Sequence, residues 1–282
     1  MTVPPLPAIM IEPMVRAALL EDLGRAGDIT TDAIVPASSR GRTALVARQD
    51  GVVAGLDIAL LAFRLIDPDI RAEIAAPDGT RLAKGGVIAT IAGPTRGILT
   101  AERVALNFLC HLSGIASATA SVVAAIRDTQ TRVVCTRKTM PGLRAVQKYA
   151  VRVGGGFNHR FGLDDGVLIK DNHIAAAGSI AQAMARTRAA IGHLVKIELE
   201  VDTLAQLEEA LALGVDAVLL DNMSNDEMRR AVALVAGRAV TEASGRITPE
   251  TAVEVAATGV DLLSSGALTH SVRTLDIGLD WR

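Results

Sequence analysis

A cluster of cationic residues between residues 137 and 170 is the strongest indication of chemistry in this sequence. This cationic segment contains seven Lys or Arg and only two acids, Asp164 and Asp165, although the whole chain carries a net charge of −2. The cations are Arg137, Lys138, Arg144, Lys148, Arg152, Arg160 and Lys170. Because Arg can bond a carboxylate or phosphate through two N–H groups and Lys supplies a point charge, the segment favours a ligand with several negative groups.

His159 lies inside the cationic segment, between the glycine triplet 154–156 and Arg160. A lone histidine is usually structural, but in this setting it could donate to a carboxylate or move a proton. Three of the cations, Arg144, Lys148 and Arg152, recur at helical spacing, which indicates supporting or surface roles.

Short apolar segments that end in polar residues recur from residue 133 onward. They are VVCTRK, GVLIKDN, LVKIELE, AVLLDN, AVTEASG and LLSSGA. Helix signals separate the later ones, because Thr203–Gln206 and Ser224–Glu227 match capping boxes and Thr248–Pro249 is typical of a helix start. The alternation predicts a parallel sheet, either open or closed into a barrel.

In a barrel of this kind, the carboxyl ends of the strands form the active site. The acids at these ends include Glu198, Glu200, Asp221 and Glu242. Glu200 and Asp221 could hold Mg²⁺ beside a phosphate ligand, stabilise a cationic sugar centre, or form ion pairs with nearby lysines. The glycine-containing segments 244–245 and 265–270 would let backbone N–H groups approach a phosphate closely.

The N-terminal third mixes helix and strand signals. Helices are predicted at Met14–Leu23 and Leu56–Ile66, and a loop at Gly24–Asp32. Predicted strands lie at Arg42–Gln49, Gly51–Gly55, Arg71–Ala76 and Val87–Ala92. A further helix is predicted from Thr100 to Ala125, with an interruption near Ser113 and Gly114.

Composition excludes several classes of protein. An aromatic content of 2% and a slightly acidic charge argue against a nucleic-acid surface. Cys110 and Cys135 form neither a disulfide framework nor a zinc motif. No signal peptide is recognised, and no apolar run approaches a membrane-spanning length of about 20 residues. The sequence therefore predicts a cytoplasmic protein without membrane or nucleic-acid partners.

Eight segments, in order through most of the chain, closely resemble the quinolinate phosphoribosyltransferase family. They are EDLGRAGDITTDAI, TAERVALNFLCHLSGIAS, TRKTMPGLRAVQKYAV, GGGFNHRFGLDDGVLIKDNHI, KIELEVDT, AVLLDNM, EASG and SSGALTHSVRTLDIGLD. The resemblance implies transfer of phosphoribosyl from phosphoribosyl pyrophosphate to quinolinate with decarboxylation, which gives nicotinate mononucleotide, pyrophosphate and CO₂ in de novo NAD synthesis. It also implies Mg²⁺ as cofactor.

The same resemblance implies an α/β architecture, that of a type II phosphoribosyltransferase. A mixed, sandwich-like N-terminal lobe is expected over residues 1–108, joined by residues 268–282, and an incomplete α/β barrel over residues 109–267. The family also works as a homodimer or higher homo-oligomer, in which the partner subunit completes each active site.

Three groups of site residues follow from the resemblance. The quinolinate-binding residues are Arg137, His159 and Arg160, with Arg103 reaching in from the neighbouring subunit. The catalytic residues are Lys138, Lys170, Glu200 and Asp221, of which Glu200 and Asp221 also serve the metal, directly or through water. The residues of the 5′-phosphate loops are Ser244, Gly245, Gly266 and His270.

Three departures from the family pattern and three rival interpretations stay open at this point. Met140 stands where Thr is usual, Ser265 where Val is frequent, and Arg246 where a small residue is common. Arg246 could add charge at the phosphate loop or point to solvent. The rivals are a paralogous, molybdenum-transport-associated protein of the same fold, a Schiff-base aldolase that uses Lys170, and a non-catalytic phosphate-binding barrel.

Overall fold

The computed structural model describes residues 3–245 and 247–281. The expectation for Arg246 therefore lies outside the described residues. The chain divides into two compact units. The first contains Met1–Ala120, Met140–Gly155 and Ser271–Arg282, and the second contains Ser121–Thr139 and Gly156–His270.

Helices and strands alternate along most of the chain. The helices are α1 (Ala8–Leu23), α2 (Ile29–Ile34), α3 (Leu56–Ile66), α4 (Thr95–Ala125), α5 (Arg144–Val153), α6 (Asp171–Ala177), α7 (Ile180–Ala190), α8 (Leu204–Ala212), α9 (Asn225–Val235), α10 (Pro249–Ala256) and α11 (Ala267–His270). The strands are β1 (Arg40–Ala47), β2 (Gly51–Val52), β3 (Arg71–Ile74), β4 (Arg81–Leu82), β5 (Val87–Pro94), β6 (Arg132–Val134), β7 (Val167–Ile169), β8 (Ile197–Val201), β9 (Ala217–Leu220), β10 (Val240–Ser244), β11 (Leu262–Ser264) and β12 (Ile277–Trp281).

The first unit is built on an antiparallel sheet in the order β12–β1–β5–β3. The predicted helix Leu56–Ile66 is confirmed as α3, which buries most of its length. Its start is fixed by the Asp78 carboxylate, which accepts the N–H groups of Gly55 (2.7 Å) and Leu56 (3.0 Å). A carboxylate here satisfies N–H groups that have no partner within the helix.

Two predictions in this unit are wrong, and both failures have a local cause. The predicted loop, Gly24–Asp32, overlaps the start of α2, because the Asp28 side chain accepts the Thr31 N–H at 2.9 Å and caps a short helix. Helix α4 runs through the predicted interruption. Ser113 Oγ accepts the N–H of Ala54 at 3.0 Å, and a Cβ on Gly114 would lie 2.3 Å from the Arg273 carbonyl oxygen. The two small residues therefore permit close packing and do not end the helix.

Helix α4 is also long and apolar enough, by length and composition alone, to cross a membrane. This does not contradict the expectation of no membrane span, because a helix in the core of a protein passes the same test. Half of its most apolar 18-residue window (50%) is buried inside the protein. Burial of that kind is typical of a helix in the core of a globular domain.

The second unit contains a parallel sheet in the order β6–β11–β10–β9–β8–β7. In β8, Ile197, Leu199 and Val201 pack into a core under the helices. Side chains alternate across a strand, so Glu198 and Glu200 lie on the opposite, inner face. The three predicted helix starts are confirmed, since Thr203, Ser224 and Thr248 each accept a backbone N–H three residues later.

The two end strands of this sheet, β6 and β7, are not joined by a ladder within the part of the chain that the structure describes. A single parallel bridge instead pairs Val134 of β6 with Phe157. The expected α/β class is thus confirmed, with an antiparallel N-terminal lobe and an incomplete parallel barrel. All six strands present their carboxyl ends at one edge, where the predicted site residues follow.

Replacing Gly114 by Ala should destabilise the protein although Ala is the better helix former. The gain in helix propensity is about 1 kcal/mol, whereas an overpacked contact costs about 1–3 kcal/mol and here involves a backbone oxygen that cannot rotate away. We expect a lower free energy of unfolding in urea. Gly192→Ala is the matched control, because nothing lies within 4 Å of a Cβ there. Equal stability of the two variants would contradict the packing explanation.

Candidate active site

A cavity of about 180 Å³ lies at the carboxyl ends of the parallel strands, within the second unit. Most of the predicted site residues of that unit line it. Its lining is Thr136, Arg137, Lys138, His159, Arg160, Leu168, Lys170, Leu219, Glu242, Ser244 and Ser264. Four Lys or Arg and one histidine therefore surround one small space, which suits an anionic ligand.

Two guanidinium groups form the most strongly charged part of this cavity. Arg160 Nη1 donates to the Gly166 carbonyl oxygen at 2.9 Å, which ties the side chain to the loop before β7. Burial, followed by the positive charge of Arg137, holds the pKa of Arg160 below its ordinary value, while Glu198 and Asp165 oppose that shift. The buried Nε of Arg137 has no hydrogen-bond partner among residues 3–245 and 247–281. Arg137 Nε is therefore a donor that the described residues leave unbonded.

His159 is held at both ring nitrogens. Its Nδ1 accepts the backbone N–H of Arg160 at 2.7 Å, and its Nε2 lies 2.8 Å from Glu198 Oε2 and 3.7 Å from Glu242 Oε2. Because Nδ1 faces a donor, the neutral ring carries its proton on Nε2 and donates it to Glu198.

Lys170 forms an ion pair with Glu200 across neighbouring strand ends. Lys170 Nζ donates to Glu200 Oε2, and the lysine side chain is 45% exposed against 12% for the glutamate. The backbone N–H of Lys170 donates to His173 Nδ1 at 2.9 Å, which fixes the turn into α6. Lys170 therefore projects from an ordered helix start.

Asp221 follows β9 directly and is fixed by two neighbours. Its Oδ2 accepts Asn222 Nδ2 at 2.9 Å and its Oδ1 accepts Ser244 Oγ at 3.4 Å. Asn222 has a φ of 54°, a left-handed conformation in which Asn is favoured over most other residues. The turn thereby aims the Asp221 carboxylate towards the end of β10.

The loop that carries Lys138 is fastened to α11. Thr269 Oγ1 donates to the Lys138 carbonyl oxygen at 2.7 Å. A Cβ on Gly266 would lie 2.8 Å from Lys138 Cδ and 3.1 Å from the His270 ring. Glycine at 266 therefore leaves space for both side chains. The neighbouring Ser265 is buried, and its Oγ has no hydrogen-bond partner within the described part of the chain.

Two sets of side chains have the composition of a metal site. Glu200 and Asp221 are oxygen donors at adjacent strand ends, and Mg²⁺ commonly takes one or two carboxylates together with substrate phosphate and water. His159, Glu198 and Glu242 place their ligand atoms within 4.8 Å of one another. A metal-bound histidine normally donates its other ring N–H, whereas His159 Nδ1 accepts one. The second set is therefore built for hydrogen bonding.

Comparison with known proteins identifies the family. The model described as quinolinate phosphoribosyl transferase, C-terminal domain, matches residues 115–280, and the N-terminal domain model matches residues 28–113. The chain belongs to the quinolinate phosphoribosyltransferase family.

Related sequences match over nearly the whole chain. Nicotinate-nucleotide pyrophosphorylase (carboxylating) of Mycobacterium leprae is 50% identical over 271 residues, which are 94% of this chain and 95% of the relative. The probable nicotinate-nucleotide pyrophosphorylase (carboxylating) of Bacillus subtilis is 45% identical over 272 residues, covering 96% and 93%.

Solved structures of related proteins have the same fold as this chain. NadC from Streptococcus pyogenes has a TM-score of 0.94 at 44% identity and covers 99% of each chain. The nicotinate-nucleotide pyrophosphorylase from Francisella tularensis has a TM-score of 0.95 at 36% identity and covers 100% of this chain and 99% of its own.

For this member of the quinolinate phosphoribosyltransferase family, the structure brings together most of the predicted residues. Those in or beside the cavity are Arg137, Lys138, His159, Arg160, Lys170, Glu200, Asp221, Ser244, Gly266 and His270. Gly245 directly follows Ser244, with a φ of 157°. Arg103 is different, because it is exposed on α4 in the first unit.

Glu198 and Glu242 were not predicted as site residues from the sequence, where they stand only as charged residues at strand ends. Both lie within strands of the parallel sheet, on its inner face, and both are buried. An acid at that position in a buried strand is a signal that could have found them, since buried charges are almost always partnered. Of the two roles expected for Lys148, burial excludes the surface role, because the residue is only 1% exposed.

Proposed function

We propose that this chain is a quinolinate phosphoribosyltransferase, an enzyme that transfers phosphoribosyl from phosphoribosyl pyrophosphate to quinolinate. The products are nicotinate mononucleotide, pyrophosphate and CO₂, a step of NAD biosynthesis. One observation carries the proposal: two guanidinium groups, Arg137 and Arg160, line a cavity that opens beside the acids Glu200 and Asp221. Quinolinate, a dianion, would bind beside the guanidinium groups, and the ribose, which becomes cationic during the transfer, would lie beside the acids.

The guanidinium pair supplies the quinolinate half of the site. Each guanidinium can bond a carboxylate through two N–H groups, and quinolinate has two carboxylates on adjacent ring carbons. Two like charges already held in a half-buried cavity lose repulsion when a dianion enters. In this proposal His159 binds quinolinate together with the two guanidinium groups.

The acidic side of the site suits the sugar. When the pyridine nitrogen attacks the anomeric carbon, positive charge builds on the ribose and negative charge on the leaving pyrophosphate. Carboxylates of Glu200 and Asp221 would stabilise the ribose charge, and Lys138 and Lys170 the opposite end. Mg²⁺ bound with the pyrophosphate would neutralise part of its charge. Ser244, Gly245, Gly266 and His270 would hold the 5′-phosphate, since both glycines leave the backbone accessible.

Decarboxylation follows from the ring chemistry. After transfer, the ring nitrogen is cationic, and the carboxylate on the next carbon can leave as CO₂ because the adjacent cation stabilises the remaining carbanion. A proton then replaces the carboxylate. The protein must keep the ring in place and the retained carboxylate paired, which a fixed Arg160 would do.

The names of the relatives favour this activity over a molybdenum-transport-associated protein of the same fold. The structure also argues against the Schiff-base alternative, because the Lys170 ammonium is engaged by Glu200 as a hydrogen-bond donor. A lysine nucleophile would have to present an unengaged amine.

We also propose a homodimer or higher homo-oligomer in which Arg103 enters the partner's cavity. Its support is the exposed position of Arg103 on α4, in a unit different from that of the other quinolinate-binding residues. Sedimentation of the active enzyme as a monomer would reject this assembly.

A cytoplasmic location is proposed as well. The relatives from Mycobacterium and Bacillus carry no compartment in their names, whereas plant relatives are named as mitochondrial or chloroplastic. Cell fractionation with an antibody to this chain tests the location, and recovery in the membrane fraction would contradict it.

The activity is tested by mixing the purified chain with quinolinate, phosphoribosyl pyrophosphate and Mg²⁺. We expect nicotinate mononucleotide and CO₂ in equal amounts, and we expect EDTA to stop turnover until excess Mg²⁺ restores it. Release of CO₂ from carboxyl-labelled quinolinate and chromatography of the nucleotide measure the two products. Absence of product would reject the function, and undiminished turnover in EDTA would reject only the Mg²⁺ proposal.

Replacing Arg160 by Ala should weaken quinolinate selectively. Loss of a charge-assisted hydrogen-bond pair corresponds to roughly tenfold to hundredfold in KM for quinolinate, whereas KM for phosphoribosyl pyrophosphate should change by less than about threefold. Arg186→Ala is the control, since Arg186 bonds only Gln182 on the exposed face of α7 among the contacts in the described structure. An equal loss of affinity for both substrates would contradict the proposed division of the site.

A further inference from the structure

We propose that Glu198 and Glu242 set the quinolinate half of the site, Glu198 as a positioning residue that acts through His159 and Arg160, and Glu242 through its charge. The inference rests on the proposed function and adds two residues to it. Neither glutamate is given a role by the family resemblance. The effect of Glu198 is carried by the hydrogen bonds that hold the segment 159–160, and that of Glu242 by its charge in the wall of the cavity.

Glu242 lies between two cavities, and Glu198 lines one of them. A second cavity, of about 490 Å³, lies at the amino ends of the same strands and is lined by Glu198, Lys196 and Asp216, among others. His159, Arg160 and Glu242 line both this cavity and the smaller one at the carboxyl ends. These three side chains therefore form the wall between the two cavities. We call this wall the partition and the smaller cavity the anion site.

A chain of hydrogen bonds runs from the partition to the anion site. Glu198 accepts His159 Nε2 at 2.8 Å, His159 Nδ1 accepts the Arg160 backbone N–H at 2.7 Å, and Arg160 Nη1 donates to Gly166 at 2.9 Å. Glu198 also stabilises the Arg160 charge. Loss of the Glu198 acceptor would remove the 2.8 Å hydrogen bond that orients the ring at Nε2, and the Arg160 backbone, which donates to Nδ1 of the same ring, would shift with it.

Glu242 acts through charge. It is 1% exposed, and its Oε1 has no hydrogen-bond partner in the described residues. Burial first, and then the negative charge of Glu198, raise the pKa of Glu242. The other groups that face it are His159, the Ser264 hydroxyl and Lys170, and all three oppose the rise. A neutral Glu242 does not repel a dianion in the cavity above it.

The raised pKa of Glu242 determines how quinolinate binding should change with pH. Below its raised pKa, Glu242 is protonated and quinolinate binds without repulsion. As the pH rises through that pKa, Glu242 becomes negative and quinolinate binding weakens. Phosphoribosyl pyrophosphate, which is proposed to bind on the Glu200 side, should be affected less.

The experiment compares KM for quinolinate and for phosphoribosyl pyrophosphate in four full-length variants. Glu198→Met, which removes the acceptor, should raise KM for quinolinate roughly tenfold, with less than about a twofold change for phosphoribosyl pyrophosphate. Glu198→Gln, which keeps an acceptor oxygen, should restore most of the loss. Glu242→Gln should remove the rise in KM for quinolinate with pH. Glu208→Gln, on an exposed face of α8, is the control.

The outcomes separate the two proposals. No turnover in the wild-type protein and in Glu208→Gln rejects the proposed function itself. With those two active, an equal rise of both KM values in Glu198→Met, or a failure of Glu198→Gln to restore binding, overturns the positioning role of Glu198. A pH dependence that persists unchanged in Glu242→Gln overturns the role of Glu242. Should Glu198→Met fail to fold, Glu198→Ala takes its place, since it also removes the acceptor, and the same split between the two KM values is expected.

Discussion

Repulsion between two half-buried guanidinium groups is the constraint on which the site depends. Partial burial and the positive charge of Arg137 together lower the pKa of Arg160. Such an arrangement costs stability unless acids or a ligand neutralise it. Within the protein, Glu198 and Asp165 oppose the fall in the Arg160 pKa. A dicarboxylate, the proposed ligand, would add a negative charge beside each guanidinium.

The parallel sheet makes the arrangement possible. Six strand ends at one edge bring cations from the segment after β6 and acids from the ends of β8 and β9 into one region, although they are far apart in sequence. The result is a cationic side and an acidic side, which match the opposite charges that develop on the ring, the sugar and the leaving group. Glu198 and Glu242 lie on the same inner face of the sheet. The strands whose ends carry the site residues therefore also carry the two acids that are proposed to support His159 and Arg160.

Much of this could be predicted from sequence because the signals are local. The capping boxes at Thr203 and Ser224 and the polar strand ends predicted a parallel α/β unit, and the motif resemblance predicted most of the cavity lining. What failed depended on tertiary contacts. Gly114 indicated a helix break but serves close packing against residue 273, and a capping Asp28 created α2 inside a predicted loop. The buried acids under His159 were missed because a strand pattern does not say which charged residue is solvated.

Direct binding tests the central claim that the guanidinium pair requires a dianion. Calorimetric titration of the wild-type protein with quinolinate and with nicotinate, which keeps the ring but has one carboxylate, isolates the effect of the second charge. The account predicts that quinolinate binds at least about tenfold more tightly, as expected for one charge-assisted contact, and that added salt narrows the difference. Equal affinity for the two acids would contradict it.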